Sequence, residues 1–401
     1  MIPYGKHFLD DDDINAVVEV LRNGWLTQGP KVLEFENAVA EYVGAKYAIA
    51  VSSGTAALHI CCMAADLGDS STVYTSANTF VASANCALYV GATPVFCDID
   101  ENSLNMSAEA LDDKAKSIGS MGAVIPVHFA GAPCDMPAIQ SIAKKYSATV
   151  IEDASHALGS TYPSGERVGS CAYSDMTVFS LHPVKGVTAG EGGVITTNNK
   201  ELYQKLYMAR SHGICKGNFD FPGISQSGEA LCNEQEGIED GQLNPWYYEM
   251  QELGYNYRIT DLQCALATSQ LRKLPRFIQR RKEIATIYDS HFRDKSYIEL
   301  TQARLRDVSS HHLYVLRIKF DELGRSRRQV MNQLFDDGIG TQVHYIPVPM
   351  HPYYQARGYD MSDYPAAEQY YRESLTIPIY YSLTNELIEN VIESLERCLG
   401  R

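Results

Sequence analysis

The chain has 401 residues, of which 45 % are apolar and 21 % charged, values typical of a globular protein with more than one domain. Its formal net charge is −15, so its surface repels phosphate backbones and we expect no nucleic-acid partner. A small anionic ligand remains compatible with this charge, because the field inside a pocket can differ from that of the whole surface.

The sequence gives no sign of export or of a membrane anchor. The N-terminus lacks the charged and apolar segments of a signal peptide, and no window holds 18 consecutive apolar residues. The ten cysteines lack the paired spacing of a zinc site. We therefore expect a cytoplasmic protein with free, mostly buried thiols, no metal and no membrane partner.

Between residues 47 and 197, short β-rich runs alternate with helical patterns. Most runs are nearly continuous apolar strings, as expected for strands covered on both faces. The helical patterns cover Gly54–Ala65, Phe80–Leu88 and Asp135–Tyr146. This alternation predicts an α/β domain with a mostly parallel central sheet. The predicted strands are Tyr47–Val51, Thr72–Thr75, Pro94–Cys97, Ala123–Val127, Thr149–Glu152, Met176–Phe179 and Gly193–Thr197.

Helical patterns dominate the next part of the chain. A helix at Lys200–Ser211 is followed by a Gly-, Asn- and Glu-rich stretch, Gly213–Gln242, which is poor in apolar residues. Such a stretch is typical of a long functional excursion on the surface. Two further helices are predicted near Ile259–Leu274 and Arg276–Phe292.

From about residue 302 the pattern indicates a smaller α+β unit that would cover a cleft. We predict a large domain over residues 1–275 and a small domain over residues 276–401. The predicted elements of the small domain are strands at Tyr314–Phe320 and Thr341–Tyr345, and helices at Ser326–Asp337, near Met361–Leu375 and near Asn385–Leu399.

Lys185 is the most informative residue of the chain. It lies in a loop between two predicted buried strands, in the segment FSLHPVK that ends at this lysine, and GEGG follows at 190–193. A lysine shielded from water has a lowered pKa and can form a Schiff base with an aldehyde. The alternative is an exposed loop lysine, but its Ser, His and Gly neighbours favour a reactive one.

Asp153 and His156 lie at the end of the apolar run Thr149–Ile151. Ligands bind beyond the carboxyl ends of strands in open α/β sheets. A carboxylate there can keep a pyridinium nitrogen protonated, which makes the ring an electron sink. The alternative is that Asp153 only caps the following helical turn.

Small and hydroxyl residues, SSGTAA at 52–57, join the first predicted strand to a helix. Free backbone N–H groups and the positive end of the helix dipole would form a cradle for a phosphate. Ser180, five residues before Lys185, can add a hydroxyl donor. A routine helix N-cap is the alternative for this turn.

These features lie among ordered motifs that run along essentially the whole chain, and the chain resembles the DegT/DnrJ/StrS group of fold-type-I sugar aminotransferases. This resemblance implies a fold-type-I transferase that depends on pyridoxal 5′-phosphate (PLP). One departure is Leu181, where these proteins more often have Phe. The motifs are LTQGP (26–30), SSGTAAL (52–58), NTFVASAN (78–85), PVFCDID (94–100), EDASHALGS (152–160), FSLHPVKGVTAGEGG (179–193), RSHGI (210–214) and GYNYRITDLQCALATSQL (254–271).

The resemblance also assigns roles to single residues. It implies that Lys185 is the Schiff-base lysine and that Asp153 pairs with the pyridine nitrogen. It further implies a homodimer with shared active sites, because Asn256 would reach the cofactor phosphate of the other subunit. The other implied cofactor contacts are Phe80 stacked on the ring, His156 beside it, and Thr55, the backbone of Ala56 and Ser180 on the phosphate.

Both ends of the chain look most like the subgroup of C4-aminotransferases of pseudaminic acid biosynthesis. This implies a UDP-linked 4-keto-6-deoxy-2-acetamido hexose as substrate and glutamate as amino donor. Other nucleotide sugars, amination at C3, and a non-catalytic regulator on the same fold remain alternatives. A related sugar dehydratase carries histidine in place of the lysine, so Lys185 argues against it. The implied substrate contacts are Tyr4, Thr27, Gln28, Gly29, Tyr345, Ile346, Pro347 and Val348.

Overall fold

The computed structural model describes residues 1–215, 238–239 and 242–400. The predicted excursion at Gly213–Gln242 therefore lies almost entirely outside the described residues. Short two-residue strands are found at its borders: β8 (Ile214–Cys215) pairs with β11 (Glu249–Met250), and β9 (Ile238–Glu239) pairs with β10 (Gln242–Leu243).

The chain opens with two helices that the sequence patterns did not predict, α1 (Asp11–Asn23) and α2 (Pro30–Val43). In α1, the side chains of Asp10 and Asp13 form a reciprocal capping box that satisfies N–H groups of the first turn. Both helices pack against the later helix α8, Asp261–Phe292.

A seven-stranded sheet forms the centre of the large domain, in the order β1-β7-β6-β5-β4-β2-β3. All neighbouring strands are parallel except β7, which runs antiparallel to both β1 and β6. The prediction of an α/β fold with a mostly parallel sheet is confirmed. The strands are β1 (Tyr47–Val51), β2 (Thr72–Ser76), β3 (Thr93–Cys97), β4 (Ala123–Ile125), β5 (Thr149–Asp153), β6 (Met176–Ser180) and β7 (Gly193–Thr197).

Helices cover both faces of this sheet, and successive strand residues alternate between two buried clusters. Ala48 and Ala50 pack on one side, while Ile49 and Val51 pack on the other. Because both faces are covered, the strands are nearly continuous apolar runs. The remaining helices of this domain are α3 (Gly54–Ala64), α4 (Ala82–Tyr89), α5 (Ala108–Ile118), α6 (Met136–Lys145) and α7 (Lys200–Arg210), and the sequence patterns did not predict α5.

The strand directions bring three chain segments to one edge of the sheet. Since β1, β5 and β6 all point the same way, Val51, Asp153 and Ser180 end at this edge. The antiparallel strand β7 begins there at Gly193. A Cβ on Gly193 would lie 2.6 Å from the backbone oxygen of Ser53, so only glycine allows this close approach. The edge is where a ligand is expected in an open α/β sheet.

The two helices predicted near Ile259–Leu274 and Arg276–Phe292 are one helix, α8, with Pro275 inside it. Proline removes one backbone hydrogen bond, but packing holds the two halves in line. The first half contributes Leu271 to the core of the large sheet, and the second contributes Tyr288 to the core of the small domain. A continuous helix thus crosses residue 275, and the division into 1–275 and 276–401 stays a prediction.

The C-terminal part contains a three-stranded antiparallel sheet in the order β12-β13-β14. The strand predicted at Thr341–Tyr345 is wrong, because only Gln342 pairs, with Thr376, before the chain turns toward Asn78. The helix predicted near Met361–Leu375 is shorter, since its last residues join β14. The elements are β12 (Ile298–Leu300), β13 (Tyr314–Ile318), α9 (Arg327–Asp336), α10 (Pro352–Gln355), α11 (Pro365–Glu373), β14 (Ser374–Ile377) and α12 (Asn385–Leu399).

Eight cysteines are free and buried, as predicted. Cys215 is disulfide-bonded, so the expectation of free thiols is wrong at this position; pairing depends on proximity in space, which the spacing of cysteines did not give. Among the described residues, no helix is both long and apolar enough to cross a membrane.

Candidate active site

A cavity of about 710 Å³ opens at the edge of the sheet where β1, β5 and β6 end. Its volume lies within the range of pockets that take cofactors and small ligands. The N-terminal segment reaches it because Ile2 pairs with Ile339 of the small domain, which brings Tyr4 to the cavity wall. The predicted site residues that line the cavity are Tyr4, Thr55, Phe80, Asp153, His156, Ser180, Lys185, Tyr345 and Ile346.

Asp153 is the last residue of β5 and only 5 % of it is exposed. Its Oδ2 accepts a hydrogen bond from Ser83 Oγ at 2.7 Å, and its Oδ1 accepts one from the backbone N–H of Ser155 at 3.1 Å. Thr79 Oγ1 lies 2.8 Å from Ser83 Oγ and extends this chain of hydroxyl groups. The carboxylate is therefore held in one orientation at the cavity wall.

Lys185 lies in a compact loop between β6 and β7. Its backbone N–H donates to His182 O at 2.8 Å, and Ala189 N–H donates to Leu181 O at 2.9 Å, so the loop folds back on itself. Burial lowers the pKa of Lys185 to about 8, and the negative charge of Asp153 opposes part of this effect. An amine with this pKa is partly unprotonated near neutral pH and can act as nucleophile and base.

The turn at the start of α3 has free N–H groups at the place where an anion cradle is predicted. Within the described residues, the N–H groups of Gly54 and Thr55 have no acceptor, and they lie at the positive end of the helix dipole. A Cβ added to Gly54 would lie 3.2 Å from the Cβ of Ser180, so the two segments are close. The N–H of Ala56 already donates to Ser53 Oγ at 3.0 Å, so its predicted phosphate contact would require this bond to be shared.

His156 and Tyr345 form a hydrogen-bonded pair beside Lys185. His156 Nδ1 accepts from the N–H of Ala130 at 3.3 Å, which places the ring proton on Nε2, 3.0 Å from Tyr345 Oη. Burial, strengthened by the charge of Lys185, holds the pKa of His156 well below its usual range, so the ring is neutral. Since Nε2–H donates to Tyr345 Oη, the tyrosine's own proton is free to point to a ligand.

These residues fit PLP by their chemistry. Asp153 is an acid suited to a pyridinium nitrogen, Lys185 has a lowered pKa suited to an aldehyde, and the unpaired N–H groups of Gly54 and Thr55 suit a phosphate. Phe80, with 57 % of its surface exposed at the cavity, offers an apolar face for a ring. The three groups lie at one edge of the sheet, although they are distant in sequence.

Other predicted site residues do not line this cavity. Pro347 and Val348 are buried, and Val348 packs in a core that also contains Phe96 and Val315. Thr27, Gln28 and Gly29 lie against the N-terminus of α8. There the N–H of Gly29 donates to Asp261 Oδ1 at 2.7 Å. Asn256 is exposed and pairs with Ser211.

Several residues that line the cavity were not identified as site residues from the sequence. His312 packs against His156, with ring centroids 4.4 Å apart and the ring planes tilted by 39°, and its Nδ1 is buried with no hydrogen-bond partner in the described part of the chain. His344 also lines the cavity, and burial lowers its pKa to about 3. The only sequence signal for Thr79 and Ser83 was a pair of hydroxyl residues in an apolar segment, which is also common in helices. Gln342, His351 and Glu191 complete the polar lining.

Comparisons with known proteins show which family the chain resembles. The model of the DegT/DnrJ/EryC1/StrS aminotransferase family matches residues 8–396. The spore coat polysaccharide biosynthesis protein SpsC of Bacillus subtilis is 39 % identical, over 98 % of this chain and 96 % of SpsC. The UDP-4-amino-4,6-dideoxy-N-acetyl-beta-L-altrosamine transaminase of Campylobacter jejuni is 37 % identical, over 96 % and 93 % of the two chains.

Solved structures give the same result. The Helicobacter pylori protein PseC, described as an aminotransferase involved in the biosynthesis of pseudoaminic acid, superposes with a TM-score of 0.86. The two share 31 % sequence identity over 100 % of this chain and 99 % of PseC. A further similar protein has been solved in both a PLP-form and a PMP-form. The chain belongs to the DegT/DnrJ/EryC1/StrS aminotransferase family and is a PLP-dependent sugar aminotransferase.

Proposed function

We propose that the protein transfers the amino group of glutamate to C4 of a UDP-linked 4-keto-6-deoxy-N-acetylhexosamine. Amino transfer is supported by one observation: Lys185, with a pKa of about 8, and Asp153 line the same cavity. The N-terminal Tyr4 and the Tyr345–Ile346 loop border the same cavity, which leaves space for a sugar next to the lysine.

When bound, PLP supplies an aldehyde that takes up the amine and a pyridinium ring that draws electrons from the adjacent carbon. The neutral amine of Lys185 would take the proton from the Cα of the donor and deliver it to the cofactor. In the second half-reaction it would take a proton back from the cofactor and deliver it to C4 of the sugar. The carboxylate of Asp153 would accept a hydrogen bond from the protonated ring nitrogen and keep it charged. Thr55, with the free N–H of Gly54, and Ser180 would hold the phosphate, the N–H of Ala56 would share its bond to Ser53 Oγ with it, and Phe80 and His156 would orient the ring.

The choice of sugar rests on similarity and on the position of the chain ends. The 37 % identical relative is named for a UDP-linked 4-amino-4,6-dideoxy-N-acetyl sugar, and PseC is described as an aminotransferase involved in the biosynthesis of pseudoaminic acid. SpsC, at 39 % identity, is named for spore coat polysaccharide biosynthesis, and its name specifies no sugar. Selectivity for C4 requires that C4, and not C3, be held about 3–3.5 Å from the reacting amine. Tyr4 and Tyr345 are the residues that we assign to this positioning.

We also propose a homodimer with shared active sites. Among the described lining residues, Lys185 is the only lysine or arginine, and its amine is partly neutral near neutral pH, so the lining has too little positive charge for a phosphate and a nucleotide pyrophosphate together. Trp25 and Leu26 are 69 % and 54 % exposed, an apolar surface that favours burial against a second copy. Asn256, Thr27, Gln28 and Gly29 would then reach the site of the partner subunit.

Eight free buried cysteines, against one disulfide-bonded cysteine at Cys215, favour a reducing compartment, so we propose that the enzyme works in the cytoplasm. Pro347 and Val348 would act by fixing the Tyr345 loop through the core rather than by touching the sugar.

A substrate screen tests the proposed reaction directly. The purified protein would be loaded with PLP, supplied with glutamate, and offered UDP-, dTDP- and GDP-linked 4-keto sugars, with the position of the new amine determined by NMR. We expect amination at C4 of the UDP-linked 2-acetamido sugar. Amination at C3, or a preference for another nucleotide, would refute the substrate but not the roles of Lys185 and Asp153. No turnover with any keto sugar, despite normal PLP binding, would favour a regulator on this fold.

A further inference from the structure

Arg281, in the second half of α8, is a buried cation without a carboxylate partner among the described residues. Only 6 % of it is exposed. Its Nη1 donates to three backbone carbonyls, those of His311 at 3.4 Å, His312 at 3.1 Å and Ile379 at 2.9 Å. None of these acceptors carries a charge, so the guanidinium charge is not neutralised.

Apart from Lys185, whose amine is partly neutral, the other buried cations of the described chain are paired with carboxylates. Arg210 lies 2.5 Å from Glu36, Arg317 lies 2.7 Å from Glu373, and Lys273 lies 2.9 Å from Asp13. A buried charge costs several kcal/mol unless it is paired, so unpaired ones are rare away from binding sites. Arg281 therefore differs from its counterparts in a way that packing does not explain.

The surroundings of Arg281 connect it to the active site. It borders a small cavity of about 10 Å³ that shares Ser155, His156, Ser180 and His312 with the main cavity. The buried Nδ1 of His312, which has no partner among the described residues, is a second unsatisfied polar atom there. Neither the small cavity nor its walls contain a carboxylate.

A second small cavity, also about 10 Å³, places Arg281 beside Lys185, with Lys6 and His7 at its rim. Each cavity has space for about one oxygen-sized group. A phosphate or pyrophosphate is too large for such a space, whereas one oxygen of a planar carboxylate fits it. Guanidinium groups also match the planar geometry of carboxylates.

We propose that Arg281, with His312 beside it, binds the α-carboxylate of the amino-acid donor. This inference rests on the proposed function, because it concerns the donor half of the same reaction. In an amino acid the carboxylate is bonded to the Cα from which Lys185 takes the proton, so its receptor must lie near Lys185, and Arg281 and Lys185 line the same small cavity. A keto sugar has no carboxylate, and its half-reaction does not use this receptor.

The test separates the two half-reactions. In the first, PLP-loaded enzyme is mixed with glutamate and the loss of visible absorbance is followed. In the second, the amine-loaded enzyme is mixed with the keto sugar. We expect Arg281→Gln to raise the glutamate concentration for half-maximal rate about 10- to 100-fold, the range for one charge-assisted pair. The sugar half-reaction should change less than threefold.

Binding without catalysis gives an independent readout. Glutarate, a dicarboxylate that cannot react, would be titrated calorimetrically into the cofactor-free protein. We expect Arg281→Gln to weaken its binding about 10-fold or more, while the binding of UDP stays unchanged. Arg281→Lys keeps the positive charge and a hydrogen-bond donor for the carbonyls. It replaces Arg281→Gln in the titration if the glutamine variant does not fold, and we expect it to weaken glutarate binding as well.

The neighbouring Arg280 provides a matched control. It also donates to a backbone carbonyl, Leu383 O at 2.6 Å, but it borders neither small cavity. Arg280→Gln should leave both half-reactions and glutarate binding unchanged. The proposal is overturned if Arg281→Gln slows both half-reactions equally, or if both Arg281 variants bind glutarate as tightly as the wild type. Because the donor half-reaction needs no sugar, a wrong sugar assignment leaves this result interpretable.

Discussion

Replacing Asp153 by asparagine removes one charge from the site and changes its packing very little. The amide oxygen can still accept from Ser155 N–H, where Asp153 Oδ1 now accepts at 3.1 Å. Ser83 Oγ, now 2.7 Å from Asp153 Oδ2, can turn its proton to Thr79 and accept from the new NH2 group. The free energy of unfolding should therefore change by no more than about 1 kcal/mol.

The effect on the reaction should be much larger than the effect on stability. An amide cannot hold the proton on the ring nitrogen, and removing one partner of a buried ion pair costs about 3–5 kcal/mol. If this cost falls on the transition state, the rate drops about 150- to 5000-fold, at about 1.4 kcal/mol per factor of ten. PLP should still bind, because Lys185 and the phosphate cradle are unchanged.

The assay is the glutamate half-reaction in a stopped-flow instrument, with the melting temperature measured in parallel. Ser83→Ala is the matched control, because it removes a hydrogen bond to Asp153 and keeps the charge; we expect a loss of about 10-fold or less. A rate for Asp153→Asn within threefold of the wild type, with PLP bound, would show that Asp153 is only a helix cap. A melting temperature that falls by far more than that of Ser83→Ala would refute the packing argument.

Four further predictions test the same site. The Lys185→Ala variant should lose both the visible absorbance of the bound cofactor and the ability to turn over substrate. Turnover at the wild-type rate would contradict the role assigned to Lys185. Since burial lowers the pKa of Lys185 to about 8 from 10.5, the unfolded chain binds more protons between these pH values. In urea melts, the free energy of unfolding of the cofactor-free wild type should thus rise relative to that of Lys185→Met between about pH 8 and pH 10.5. If the free energies of the two proteins change with pH in parallel, Lys185 is exposed. Tyr345→Phe should leave PLP binding unchanged and slow the sugar half-reaction about 10-fold, since one hydroxyl donor is lost; an equal loss in the glutamate half-reaction would place the hydroxyl elsewhere. Mixing Lys185→Ala with Asn256→Ala subunits should restore about a quarter of wild-type activity if sites are shared in a symmetric dimer, and no recovery after verified subunit exchange would contradict sharing.

Much of the fold could be predicted because the periodicity of apolar residues is a local signal. β1 and β7 begin and end where predicted, and the other predicted strands of the large sheet differ by one or two residues. The errors arise where tertiary packing outweighs the local signal. Pro275 suggested a break in α8, but two separate cores support the helix on either side of it. The Thr341–Tyr345 segment has the β-branched residues of a strand, yet it pairs only at Gln342 and otherwise lines the cavity.

The sequence by itself determined the chemistry of this protein, because the reacting groups lie in contiguous motifs. Lys185, Asp153 and the cradle at Thr55 each follow a predicted strand, and such positions identify themselves by residue type and order. Only the tertiary structure decided which other residues reach them. Arg281 and His312 lie far from Lys185 in the sequence. Among the described residues, Arg281 has carbonyl acceptors but no carboxylate partner, and Nδ1 of His312 has no hydrogen-bond partner. Burial and pairing depend on segments far apart in the chain, and a sequence pattern contains no information about the distance between them.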